Sequence, residues 1–336
     1  MQPPDFLPSA TLDMLALRAR FLAGARRFFD DRGYIEVDTP LLSADRVIDP
    51  HLEPFAVSHA DAPTGWSPGS TVERQYLQTS TEFCMKRLLA AGAVAIYQLC
   101  HVFRAAERSE RHNPEFTMLE WYRVGDTHLE QMAETEELIC VLFSLAGQSL
   151  PRPFLRTTYQ EAFERTLQID PLRAPCSALY AVARRHGLEV PESLAMNDRD
   201  GWLNLLLAFL VEPRLGVDRP EFIFDYPASQ GALARLRAGD PPVAERFELY
   251  LRGIELCNGY HELTDPGELK RRIACESLRR NEEGQPSLPT DSRLLAAMDH
   301  GLPPCAGNAV GFDRVLMLAT GSRSIDQVLP FAWERA

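Results

Sequence analysis

Apolar side chains recur at helical spacing from the start of the chain. Leu12, Leu15, Leu17, Phe21, Phe28 and Phe29 alternate with arginines over residues 11–32, predicting an amphipathic helix that Gly33 stops. A short strand, Tyr34–Val37, follows and ends near Pro40. Residues 59–75 are rich in Pro, Gly and Ser and read as loop. A strand over 76–79 leads into a helix over 81–91, with Ser80 placed to cap it. An apolar run, 94–103, reads as a strand; a polar loop comes next, and an alternating strand carries Phe116, Glu120 and Tyr122. Helical spacing returns at 127–147. Residues 151–240 carry many prolines and an arginine-rich helical pattern with no readable chemistry, apart from a short strand at 222–226. Strand and turn fit 245–262, helices fit 269–280 and 292–300, and a glycine-bearing strand precedes a last helix at 313–320. Strands outnumber parallel crossovers, so the pattern predicts α+β with an antiparallel sheet flanked by helices.

Composition narrows this picture. The 336 residues are 45% apolar and 24% charged, ordinary for a globular protein, and no window is apolar enough to span a membrane. The N-terminus lacks a basic start and an apolar run, so a cytoplasmic location is expected. Seven scattered cysteines include no CxxC pair and read as reduced thiols. The net charge of −12 argues against a large nucleic-acid footprint, which needs clustered Lys and Arg.

Two segments carry chemistry. His101–Arg123 (HVFRAAERSERHNPEFTMLEWYR) resembles motif 2 of the class II aminoacyl-tRNA synthetases, in the lysine branch. Gly307–Leu318 (GNAVGFDRVLML), about two hundred residues later, resembles motif 3. The helix, strand and proline at the N-terminus are similar to motif 1, which in that family builds a dimer. The resemblance covers roughly residues 12–330. It implies one catalytic domain over residues 1–336 that uses ATP to make an adenylate. Only a short leader precedes the first helix, so no anticodon-binding domain and no tRNA grip are expected. FTMLEWYR, FDYPASQ, VAERFE and NGYHELTD are similar to the lysyl-tRNA synthetase paralogues that adenylate (R)-β-lysine and transfer it to a lysine of elongation factor P.

Site residues follow from this resemblance. Adenylation builds charge on phosphoryl oxygens, so it needs positioned cations more than a base. Arg104 is expected on the α-phosphate, and Arg314 over the adenine or near the terminal phosphates. Phe116 would stack on adenine, and Gly311 would let the backbone approach ATP. Even spacing places His112, Phe116 and Glu120 on one strand face. Asn113 and Leu256 complete the ATP set. Motif 2 usually reads Arg-x-Glu; here Ala106 replaces the acid, leaving the adenine edge to Glu107 or to backbone groups. Glu248 and Glu255 match the carboxylates that hold Mg²⁺. Glu262 matches the one on the substrate's terminal amine. These three lie seven residues apart, and an odd spacing flips faces on a regular strand. A bulge, or a bend at Asn258-Gly259, must realign them. Ser80, Thr81, Glu82, Glu120 and Tyr122 complete the amine environment. Ala309, where lysyl synthetases have glycine, would reshape the pocket toward a β-amino substrate. Other outcomes compatible with the residues are an adenylate-forming enzyme that charges tRNA or a carrier protein, and a non-catalytic regulatory subunit.

Overall fold

The structure, a computed structural model, describes residues 6–45, 52–58, 74–105, 107–282 and 292–336. Ala106 and most of the loop expected at 59–75 lie outside these residues.

In chain order, α1 (Leu12–Asp30) leads to β1 (Ile35–Glu36), β2 (Leu42–Ser43), β3 (Ala56–Ser58) and β4 (Arg74–Leu77). Next come α2 (Glu82–Ala90), β5 (Ala95–Phe103), β6 (Glu115–Val124) and α3 (His128–Leu145). The middle of the chain forms β7 (Leu155–Thr158), α4 (Tyr159–Leu167), α5 (Cys176–Arg185) and α6 (Arg199–Leu206). Strands β8 (Glu221–Pro227), β9 (Leu236–Arg237), β10 (Val243–Leu251) and β11 (Ile254–His261) follow. The chain closes with α7 (Pro266–Glu282), α8 (Arg293–Gly301), β12 (Cys305–Gly311) and α9 (Phe312–Thr320). Among the described residues no helix is long and apolar enough to cross a membrane.

The described residues gather into two compact units. The first draws on Met1–Gly125, Glu137–Gln148 and Thr264–Ala336, the second on Asp126–Glu136 and Ser149–Leu263. In the first, strands run in the order β1-β5-β6-β12. β6 is antiparallel to both β5 and β12. Thr117–Tyr122 on β6 are all buried, because the strand is covered on both faces and loses the alternation of a half-exposed strand. Thr11 caps α1 by accepting from Met14 N, and Gly33, at φ 74°, turns the chain out of the helix. The apolar stripe of α1 buries Phe21, Ala25, Phe28 and Phe29. Phe29 stacks on Tyr97 with ring centroids 4.7 Å apart, and Trp121 lies 5.2 Å away.

In the second unit the order is β11-β10-β8-β7, with β9 beside β10. Helices α4–α6 bury Tyr159, Phe163, Leu179, Trp202 and Leu206 against Ile223 and Tyr226. The proline-rich stretch thus supplies a hydrophobic core. The expected antiparallel sheet needs one correction: β1–β5 and β7–β8 are parallel pairs. β1 and β7 are each too short to show a pairing direction in the sequence.

Candidate active site

Arg104 follows β5 directly, and its backbone N–H donates to Pro114 O at 2.8 Å. That bond pins the base of the motif 2 loop. The guanidinium lies 5.0 Å from the centroid of Phe116, reaches Thr79 O at 3.5 Å and pairs with Glu107 at 3.4 Å. The pair is partly exposed, leaving the fork reachable by an anion. Glu107 therefore sits beside Arg104.

Arg314 projects from α9 and meets His112 Nε2; its Nε donates to Arg111 O at 3.4 Å. Burial, then the charge of Arg314, holds the His112 imidazole down to about 4, so it is a neutral acceptor. His112 is not on the strand as the even spacing predicted. Ser109 and His112 close a tight turn with paired backbone bonds of 3.1 and 3.3 Å, and β6 begins only at Glu115. A turn residue does not obey strand alternation. Asn113 is buried with its side chain committed: Nδ2 donates to Glu115 O at 2.7 Å and Oδ1 accepts from Trp333 N at 3.0 Å. The nearest atoms that a Cβ on Gly311 would meet belong to the Arg314 side chain, at 3.6–3.8 Å, ordinary contact distances. The φ of −70° needs no glycine either. Packing within the chain therefore does not demand glycine here.

Of the expected amine environment, Ser80, Thr81, Glu82, Glu120, Tyr122 and Ala309 lie in the first unit, and Glu262 lies in the second. Glu120 is buried on β6, with Oε1 accepting from Thr81 N at 3.1 Å and Oε2 from Tyr122 OH at 3.4 Å. Burial, followed by opposition from Glu82, raises its carboxyl above the usual range, against bonds from Ser80 and Thr81 that lower it. A cation arriving beside Glu120 would relieve that cost. Thr81 is the residue at the cap position of α2, but its hydroxyl contacts Met85 instead; Ser80 Oγ accepts from Glu82 N at 3.1 Å. Ala309 on β12 stands directly across the ladder from Glu120, and both it and Gly311 are more exposed than their immediate strand neighbours.

In the second unit the hairpin β10–β11 turns at Arg252-Gly253, both at positive φ, as two-residue hairpins require. Asn258-Gly259 is no bend; Gly259 pairs with Phe247 within the ladder. The register shifts at Leu249/Tyr250: Leu249 faces Cys257 and Tyr250 faces Glu255, so Leu256 is the extra residue of a bulge. That extra residue changes parity. Glu248 shares a face with its partner Asn258 and, through the bulge, with Glu255, while Glu262 lies one residue past β11, in an isolated bridge to Ala234.

Tyr226 and Tyr250 each donate to Glu248 Oε2 at 2.6 Å, and Arg246 pairs with the other oxygen. Burial and then Glu248 hold both phenols well above their ordinary range, so they remain donors. Tyr250 also lies in the field of Glu212 and Glu255. The carboxylates of Glu248 and Glu255 offer oxygen donors, which suits Mg²⁺; with two phenols on one oxygen and Arg246 on the other, Glu248 keeps about one lone-pair site of a carboxylate's four.

Sequence reasoning missed three features. Lys86 is buried and pairs with Glu82 one turn earlier at 2.5 Å, so Glu82 is not a lone acid. The i,i+4 spacing signals this pair, but not its burial. Arg18 and Asp313 form a buried pair at 2.5 Å; Arg18 also donates to Thr117 Oγ1 at 2.6 Å, and Asp313 accepts from Thr117 N at 2.7 Å. This network fastens α1 to β6 and α9, the elements that carry Phe116 and Arg314. The third is the phenol pair on Glu248. No local pattern announces either long-range network.

Comparison with known proteins places the chain in a family. The family described as tRNA synthetases class II (D, K and N) matches residues 5–335. A protein of Edwardsiella ictaluri (strain 93-146) named elongation factor P–(R)-β-lysine ligase is 46% identical over 332 residues, 98% of each chain. A Vibrio cholerae protein of the same name is 43% identical over the whole of both chains, and one from Klebsiella pneumoniae subsp. pneumoniae is 46% identical over 98% of each. With motifs 2 and 3 on β5–β6 and β12–α9 and a family match over nearly its full length, this chain belongs to the class II tRNA synthetases of the D, K and N group.

Proposed function

We propose that this protein is a ligase that activates (R)-β-lysine with ATP and transfers it to a lysine side chain of elongation factor P. The observation that carries the reading is end-to-end similarity to proteins named for that activity, at 43–46% identity over 98–100% of the chain.

In the first half-reaction the substrate carboxylate attacks the α-phosphorus of ATP and pyrophosphate leaves. Arg104 stabilises the charge growing on the phosphoryl oxygens, and Phe116 holds the adenine. Arg314, kept in place by neutral His112, supplies a second cation. Glu248 and Glu255 would hold Mg²⁺, which supplies charge neutralisation to the phosphates. Glu262, Glu120, Tyr122, Ser80 and Thr81 receive the ammonium groups, and Glu82, shared with Lys86, adds its field. The methyl of Ala309, across from Glu120, distinguishes an amino group one carbon farther along; a methylene of mismatch discriminates by ~1–3 kcal/mol. Glu107 or backbone groups take the adenine edge. In the second half-reaction the neutral amine of the acceptor lysine attacks the carbonyl of the mixed anhydride, an amide forms, and AMP departs. The rate rises with pH as that amine loses its proton.

We further propose that the chain acts in the cytoplasm as one catalytic domain and as a homodimer through α1 and β1. Ile35 on β1 and Val94 just before β5 are each 62% exposed, an apolar edge suited to a second copy.

The test is to incubate enzyme, ATP, Mg²⁺ and (R)-β-lysine with purified elongation factor P and, separately, with tRNA. A mass gain at one lysine of elongation factor P is expected. Efficient charging of tRNA with unmodified elongation factor P would overturn the reading.

A further inference from the structure

Three buried side chains in the second unit converge outside the residues assigned above. His128 opens α3, Glu245 lies on β10, and His261 ends β11. Each offers one ligand atom, and these atoms all lie within 4.8 Å of one another. His128 is 97% buried (3% exposed), and neither of its ring nitrogens has a hydrogen-bond partner. A buried polar atom left in this way carries an uncompensated desolvation cost, so an imidazole with two of them needs an explanation. Glu245 Oε2 also lacks a properly directed bond, although His261 Nδ1 lies 2.7 Å from it.

Asp225 backs the cluster. Its Oδ1 lies 3.9 Å from His128 Nε2 and has no other partner, while Oδ2 is held by Arg237. Asp225 also sits at φ 60°, in the left-handed region, within β8. Arg237 approaches Glu245 at 3.6 Å and Arg235 at 3.9 Å, and both arginines reach solvent. The two rings run nearly parallel, 22° apart, with centroids separated by 6.5 Å.

We propose that His128, His261 and Glu245 form a site for a divalent cation of the zinc class, with Asp225 as the outer carboxylate that orients His128. Two imidazoles and one carboxylate are the donors that Zn²⁺ takes in three-ligand sites with a fourth position open. Bonds of ~2.0–2.2 Å place tetrahedral ligand atoms ~3.4 Å apart, so modest side-chain rotations close this cluster on an ion. Mg²⁺, which prefers oxygen, is a poor match, and this separates the site from Glu248 and Glu255. The ion would clamp the start of α3 to β10 and β11.

The full-length protein is stripped with chelator, loaded with Zn²⁺ or Co²⁺ in excess Mg²⁺, desalted and assayed by plasma mass spectrometry and visible absorption. One zinc per chain is expected. Co²⁺ should give tetrahedral bands without thiolate charge transfer, and added Zn²⁺ should raise the melting temperature. His128→Gln and His261→Gln should each abolish binding, and Asp225→Asn should weaken it ~10–100-fold. Wild-type protein that retains no stoichiometric metal, or cobalt bands that survive both histidine changes, would overturn the proposal, whatever the variants' stability.

Discussion

Arg104 and His112 show how single side chains are tuned here. Arg104 is held by a carbonyl, a partly exposed acid and an aromatic ring, none of which buries its charge. Arg104→Ala should reduce ATP–pyrophosphate exchange by on the order of a hundred- to a thousandfold, ~2.7–4 kcal/mol, with melting unchanged. Exchange near wild type would remove Arg104 from the phosphate. His112 makes a prediction about pH. Its folded value lies near 4 while an unfolded histidine titrates near about 6.5, so in that window the unfolded chain binds the extra proton. Stability from this residue is therefore intact above the window and declines as pH falls through it. Denaturant unfolding of His112→Asn should decline less than wild type between neutral pH and the lower edge. Parallel declines would mean that His112 is not held neutral. The motif marked Arg104 as a candidate; the neutrality of His112 was not legible, because it arises from burial first and then from Arg314, two hundred residues away.

At the level of elements, β6 and α9 hold the candidate adenylation residues, and Arg18 of α1 locks them together. Asp313→Ala would strand a buried guanidinium and should cost ~3–5 kcal/mol in urea unfolding. Replacing both Arg18 and Asp313 by apolar residues of similar volume should recover much of that loss. A single variant within about 1 kcal/mol of wild type would show that the network does not support the fold. The existence of these elements was readable from periodicity: α1, α3, β5 and the β10–β11 hairpin lie where spacing placed them. The alternation inferred for β6 was not borne out in its burial, since that strand is covered on both faces. The bulge was required by the odd spacing of the glutamates, but its position at Leu249/Tyr250 was not, because a bulge is set by the partner strand.

For the whole molecule, the charge balance and the paired motifs act together. A net charge of −12 disfavours a broad phosphate-binding surface and leaves recognition to local chemistry. The apolar edge around β1 is the place where a second copy would add. Light scattering at micromolar concentration should give twice the 37.8 kDa chain mass, and Ile35→Asp together with Val94→Asp should reduce it to the monomer. A wild-type protein that is monomeric throughout would dispose of the dimer.

The sequence alone determined the fold class and the order of the motifs, and it marked the two arginines and the glutamates seven apart as candidates. Each is carried by residue type and local spacing, which a strand or helix preserves wherever it packs. Only the tertiary structure decided that Lys86 shares Glu82, that two phenols hold Glu248, that Asp313 meets Arg18, and that His128 meets Glu245 and His261. Those pairings depend on strand register and on burial. Both are properties of distant segments packed together, and neither leaves a period in the chain.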